Sequence, residues 1–494
     1  MAAPSSLLKT RNVTLVSSEC RRSFPNNTPS AFRNTLEQHV RASPGKRLYV
    51  RPVSISLSLD VMAISRVVKK KKYISLPGCI NILLDELTAQ RFGENYVQTV
   101  GSFPFPPPSL SSSAAASVKG GDIYAQHKFE NADFLMLDKS EVADLGVKLV
   151  DSRFEPVTLA SYLPTVLQLE VTEDDKMAAG QGIVTLGCTS WNAKGHFKWN
   201  NSLHSFTSPL PSMMTFPNHE VALASIVYPP LMVQSKTVTF SLESFSFTVD
   251  LSKFEYGKKD LQHHEIVGAL NEALDRHFYG KNFQFRETFR VGQSRESNSV
   301  GVSISPKRFQ FFAGSSERKH RRGQRITRIW LGKNFRDMLG SADEVYYILP
   351  RDHKNYRPTL LGDRWADISL SSGYNPTALL ECSIAMDSPV GDSRFKVLEF
   401  VPVLTSPVGK MEKVEWIEQK ELVYTPPTRT FVNMSAAPFN SIKFRFLEPD
   451  GEPKSFLCQT PPWKRKRNGE EEEGDEAEPM IIINLVVRPK RELV

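Results

Sequence analysis

"NNTPSAFRNTL" (26–36) and "NNSLHSFTSPL" (200–210) are one phrase written twice. Each has Asn-Asn, then Thr or Ser, then Phe four residues on (Phe32, Phe206), then Leu four further (Leu36, Leu210). One short match arises by chance in a chain of 494 residues, so the reading turns on whether another phrase repeats in the same order. "VKLVDSRFEPVTL" (147–159) lines up with "FRFLEPDGEPKSF" (444–456). Val147, Leu149 and Val150 fall on Phe444, Phe446 and Leu447, and Asp151 falls on Glu448. Glu155-Pro156 falls on Glu452-Pro453, and Thr158-Leu159 on Ser455-Phe456. Both read as strand, acidic turn with Pro, then strand, and each precedes an apolar run, "TVLQLEV" or "MIIINLVV". Two related β modules are expected. The second copy lags by 174 residues at the opening phrase (26 to 200) and by 297 at the closing one (147 to 444), so it carries insertions.

The chain between these phrases reads as strands. "LYVRPVSISLSLD" (48–60) alternates, with Val50, Val53, Ile55, Leu57 and Leu59 mostly to one side. "KKYISLPGCINILLDEL" gives two short strands broken at Pro77-Gly78. "HEVALASIVYPP" and "KTVTFSLESFSFTVDL" alternate too. Thirty Phe and 33 Pro suit pleated, half-buried surfaces joined by long loops. One helix stands out in "KKDLQHHEIVGALNEALDRHFYG": Asp260 is a candidate cap, Ile266, Leu270, Leu274 and Phe278 share a face, and Gly280 supplies a stop. "NFRDMLG" is a shorter candidate.

The fold class expected is all-β: two jelly-roll-like β-sandwich modules in tandem, the second enlarged by insertions that include one helix. The first spans 1–175 with a Pro/Ser/Ala-rich loop at 103–121, and 176–190 links it to the second at 191–494. The second carries the helix (260–279), a basic loop (315–328) and a charged loop (461–479).

Composition narrows the function classes. The net charge of +8 permits an anionic partner without demanding one. Five scattered cysteines include no C-x-x-C, so neither a zinc ribbon nor a disulfide framework is indicated. Sequons at Asn12, Asn26, Asn200 and Asn433 read as coincidences of an Asn/Ser-rich loop style. The N-terminus lacks the apolar core of a signal peptide, and no run approaches the ~18 apolar residues of a membrane span.

No nucleophile elbow, zincin motif or phosphate-binding loop is present. His263, His264 and His277 fit a solvated helix face better than a metal site. No enzyme, catalytic residue, metal or cofactor is therefore expected. Two charged stretches are candidate sites. "SSERKHRRGQRITR" (315–328) offers Arg318, Lys319, Arg321, Arg322, Arg325 and Arg328 for salt-sensitive contact with DNA phosphates, weighed against a solvated loop. "KRKRNGEEEEGDEAE" (464–478) offers Lys464, Arg465, Lys466 and Arg467 as a nuclear import signal, weighed against a disordered loop whose acids cancel the basic run.

"SSECRRSFPNNTPSAF" resembles the opening of penton-type and related capsid proteins of the Polinton/Maverick and adintovirus lineage of double-stranded DNA elements. "NHEVALASIVYPP" resembles the strand that follows in that family, "HHEIVGALNEALDRHF" the helix after it, and "FRFLEPDGEPKSF" with "MIIINLVV" the closing hairpin and last strand. The first module matches only at its opening and close. The resemblance implies a jelly-roll sandwich and a structural virion protein, a penton-type minor capsid protein. Its partners would be itself, as a trimer or pentamer, and other capsid proteins, with packaged DNA against the basic loops. It would be assembled in the host cytoplasm or nucleus. The family brings no active-site residues. The alternatives are the lineage's double jelly-roll major capsid protein, a nucleic-acid-binding β protein that does not assemble, and a carbohydrate-binding sandwich enzyme. The last would need a cleft with paired carboxylates that the sequence does not identify.

Overall fold

Alternating burial builds the first sandwich. Its strands are β1 (Arg11–Val16), β2 (Ala31–Arg41), β3 (Arg47–Leu59), β4 (Cys79–Leu84), β5 (Gln90–Phe92), β6 (Asn95–Val97), β7 (Thr99–Pro104), β8 (Asp122–Lys128), β9 (Glu141–Val150) and β10 (Val166–Asp174). One sheet runs β1-β10-β3-β8 and the other β2-β9-β4-β7. Leu15, Val50 and Leu167 from one sheet meet Phe32, Ile80 and Val147 from the other in a single core. This computed structural model describes residues 10–60, 63, 65–68, 71–105, 116–119, 122–130, 132–174, 184–190, 201–229, 231–233, 236–252, 260–261, 263–278, 283–289, 303–305, 307–313, 328–339, 341, 343–348, 364–368, 377–390, 393–403, 408–411, 414–419, 421–448, 451–454, 456–459 and 480–490.

The second sandwich repeats this order. Its strands are β11 (Val184–Thr189), β12 (Ser205–Met214), β13 (His219–Tyr228), β14 (Thr377–Cys382), β15 (Ser388–Val390), β16 (Ser393–Phe395), β17 (Val397–Pro402), β18 (Leu422–Tyr424), β19 (Phe439–Leu447) and β20 (Ile482–Pro489). The sheets run β11-β20-β13-β18 and β12-β19-β14-β17. Read in chain order, both sandwiches have the two four-stranded sheets of a jelly roll. The chain is an all-β tandem of sandwiches.

The match extends to register. Phe32 pairs with Val147 in the first sandwich and Phe206 with Phe444 in the second, so both quoted phrases come together across one strand pair. Each closing phrase turns back alike: the Asp151 N–H donates to the Glu155 carbonyl, and the Glu448 N–H to the Glu452 carbonyl, both at 2.8 Å. Each turn needs a left-handed residue at the same place, Phe154 (φ 63°) and Gly451 (φ 89°).

A shared β-bulge explains why the alternation in β3 is imperfect. Between Pro52 and Ser54 the register against β10 slips, leaving Val53 as an extra residue. Inward positions change parity there, so Leu48 and Val50 are buried before it and Ile55, Leu57 and Leu59 after it. The second sandwich slips at the same point, between Leu223 and Ser225 against β20. Beside each bulge a serine meets an amide: Ser54 Oγ donates to Gln168 Oε1 at 2.7 Å, and Asn484 Nδ2 donates to Ser225 Oγ at 3.0 Å.

Between β13 and β14 lies an insertion with its own aromatic core. Helix α1 (His263–His277) buries Ile266, Leu270 and Leu274 there, with Phe278 just beyond its end. The face is the one expected, but the helix starts later than Asp260, because Asp260-Leu261 pairs as a strand with Cys458-Gln459. Helix α2 (Lys333–Leu339) buries Phe335, Met338 and Leu339. Gly280 lies outside the described residues.

Two expected loops differ. The stretch 103–121 is not wholly loop: β7 runs to Pro104, and Ala116–Lys119 pairs with β8. Sheet pairing overrides the weak local pattern there. The expected linker 176–190 contains β11, because Leu186 and Cys188 are buried in the second core and β20 satisfies the backbone.

Candidate functional site: the junction between the sandwiches

The most built feature of the described surface is where one sandwich grips the next. Strands β5 and β6 form a hairpin arm on the first sandwich, between β4 and β7. Its turn places Gly93 at φ 54°, which glycine adopts without strain. The arm leaves its own sandwich and lies parallel to β11, pairing Arg91 with Leu186 and Phe92 with Gly187. The Gly93 N–H donates to the Gly187 carbonyl at 2.7 Å. A strand that would be the open edge of the second sandwich is thus covered.

Side chains fix this register. The Phe92 ring lies on Gly187, where a Cβ would meet the ring at 2.3 Å. Phe92 also packs edge-on against Phe154, with centroids 4.9 Å apart. Arg91 Nη2 donates to Ser212 Oγ on β12 at 3.3 Å. Cys79, Val227, Met480 and Ile482 close a small apolar cluster beneath.

A second clamp joins the sandwiches at Gly78. A Cβ there would fall 2.0 Å from the Glu421 carbonyl oxygen, so the two backbones touch. Ser152 Oγ donates to the Glu421 carboxylate, and Arg429 Nη1 pairs with Asp133 at 2.6 Å. Strand Lys71–Leu76 of the first sandwich runs parallel to Val414–Gln419 of the second.

Ionisable groups elsewhere serve the fold. Arg33 pairs with Asp85 at 2.9 Å, with the buried Glu86 at 2.7 Å and with Asp144. Burial works against its charge, but these carboxylates outweigh it and hold the guanidinium pKa above its usual value. Burial pushes the Cys382 thiol up to about 12 and raises Cys79 and Cys188 as well, which disfavours the thiolate form. His277 is an exposed ring packed edge-on against Phe247 at 5.1 Å. Among the described residues, no group of three or more His, Cys, Asp or Glu side chains is placed to hold a metal. No described helix is long and apolar enough to cross a membrane, which says nothing of a β-barrel.

Of the basic candidates, Arg328 is described. Its guanidinium lies over the Trp330 ring at 4.8 Å and 3.6 Å from Glu243, so the insertion already engages it. Arg318, Lys319, Arg321, Arg322 and Arg325 lie outside the described residues, as do Lys464, Arg465, Lys466 and Arg467. Sequence reading missed the arm. Its signal was the Gly-Glu pair of "QRFGENYV" (90–97), matched by Gly-Asp in "SPVGDSRF" (388–395) at the same distance from the strand before it.

Fold and junction together define a tandem jelly-roll protein in which one sandwich docks on the next through a strand arm. No protein-family model matches the chain, and no curated protein matches it. Among solved structures, the chain is similar to the mavirus penton protein: 11% identity, 62% of this chain and 99% of that chain covered, with a TM-score of 0.29. That score is too low to add to the strand order described above.

Proposed function

We propose that the chain is a structural virion protein, a capsid building block whose working parts are sandwich faces and edges rather than an active site. The carrying observation is that two complete eight-stranded sandwiches of one strand order stand side by side in one chain, joined by an arm on an edge strand. A first module at 1–175 and a second that begins with β11 and runs to 494 would be its two jelly rolls. The tandem favours the double jelly-roll major capsid type. The opening phrase at 17–32 favours the penton-type minor protein of a Polinton- or adintovirus-like element. In either, copies of the chain and other capsid proteins are the partners. The basic segment holding Arg318, Lys319, Arg321, Arg322, Arg325 and Arg328 would face packaged DNA, and Lys464 to Arg467 would direct nuclear import.

Light scattering at low and high salt, followed by negative-stain microscopy of the same peak, tests this reading. Uniform trimers or shells support the major-type protein, and pentamers the penton type. A strict monomer that holds duplex DNA at low salt and releases it at high salt overturns the capsid reading in favour of a DNA-binding β protein.

A further inference from the structure

The arm of the first sandwich has a twin. β15 and β16 pair Ser388 with Phe395 and Val390 with Ser393, as β5 and β6 pair Gln90 with Val97 and Phe92 with Asn95. The flanking strands keep step: Cys79 pairs with Pro104 and Thr377 with Pro402, with a slip at the same later position in each pair. The second arm is therefore the first arm moved by 298 residues (90 to 388). The first arm pairs with β11, whereas among the described residues β15 and β16 form a two-stranded sheet by themselves.

The edge that the first arm covers also has a twin. β1 holds the place in the first sandwich that β11 holds in the second. Leu15 pairs with Leu167 on β10, as Cys188 pairs with Ile483 on β20. Val13 and Thr14 thus correspond to Leu186 and Gly187. β1 ends its sheet with no strand beyond it among the described residues; at its end Val16 exchanges two hydrogen bonds with the Asn34 amide, which leaves Arg11–Leu15 as the edge. Burial follows: Gly187 is buried under the arm, whereas Thr14 is exposed. An arm and an edge that no strand pairs among the described residues, each the copy of one half of a contact made inside the chain, complement each other.

We propose that the arm Ser388–Phe395 of one copy docks on the edge Arg11–Leu15 of a second copy, repeating between chains the contact that β5 makes with β11 within one. Val390 would lie beside Thr14, as Phe92 lies beside Gly187. The sizes compensate: a large ring covers the glycine, and a small branched side chain covers the threonine. The contact is head-to-tail, so it closes into a ring of copies when the rotation permits. This deepens the assembly reading and rests on it.

Cross-linking and a size swap in the full chain test the contact. Parallel neighbours lie close enough for a disulfide, so Thr14→Cys with Val390→Cys should link copies under mild oxidation, and neither single variant should. Val390→Phe should shift the assembled mass towards the 55.7 kDa of one chain. Adding Thr14→Gly, which recreates the Phe92–Gly187 pair, should restore assembly. Wild-type assembly with no cross-link from the cysteine pair overturns this contact and leaves the capsid reading standing. A wild-type chain that stays monomeric at every concentration overturns both. Equal cross-linking by the single variants overturns the contact, because the link would then not depend on register.

Discussion

Asn27 and Arg33 hold each other by a closed pair of hydrogen bonds. The Arg33 N–H donates to Asn27 Oδ1, and Asn27 Nδ2 donates to the Arg33 carbonyl, both at 2.9 Å. Asn201 and Thr207 do the same, at 2.9 and 3.3 Å. In each copy the amide also reaches the chain before it, at the Glu19 or Ser190 carbonyl. A side chain here satisfies backbone that enters the sheet edge unpaired. That is why the phrase is written twice.

Removing either amide strands these backbone groups. Asn201 is the more buried, so Asn201→Ala should cost about 2 kcal/mol and Asn27→Ala about 1 kcal/mol. Urea unfolding of the two variants checks the order; equal or negligible losses would refute it. Asn201→Asp should fall between, because it keeps the acceptor and loses the donor.

At the arm, Gly187→Ala drives a Cβ into the Phe92 ring. A loss of about 1–3 kcal/mol is expected, with faster hydrogen exchange at the Gly93 amide. Phe92→Ala in the same chain should recover part of it, because the clash is with a side chain. A double-mutant cycle with no coupling would show that the arm does not lie on Gly187.

Gly78→Ala should behave differently. Its Cβ would meet the Glu421 carbonyl oxygen, a backbone atom that no substitution removes. The cost should reach about 3 kcal/mol, and Glu421→Gly should fail to rescue it. Thermal unfolding of the single and double variants distinguishes the two junction glycines.

Two partly buried imidazoles set a pH dependence. Burial lowers the pKa of His204, and burial lowers that of His127 against a nearby Glu130. Below the ordinary value of 6.5 the unfolded chain takes up protons that the folded chain resists. Their contribution is therefore full above about pH 6.5 and is lost as pH falls through the folded pKa. Melting temperature should drop between pH 7 and 5, and His204→Gln should flatten that slope. An unchanged slope in this variant and in His127→Gln would remove the two rings as its cause.

The sequence by itself determined most of the strands and the duplication. Alternating Leu and Ile, Pro-bounded turns and a repeated Asn-Asn are local signals, and local sterics and capping act over a few residues. In the sequence Phe32 matches Phe206 and Val147 matches Phe444; that Phe32 pairs with Val147, and Phe206 with Phe444, was decided by the fold. Tertiary structure decided what local signals do not encode. Ala116–Lys119 became a strand because β8 offered an edge. The parity change at Val53 came from the slip against β10. The reach of Phe92 across to Gly187 depends on two segments almost a hundred residues apart meeting in space. Backbone edges are satisfied by whatever lies beside them once the sandwiches form, and that neighbour is set by packing rather than by adjacent residues.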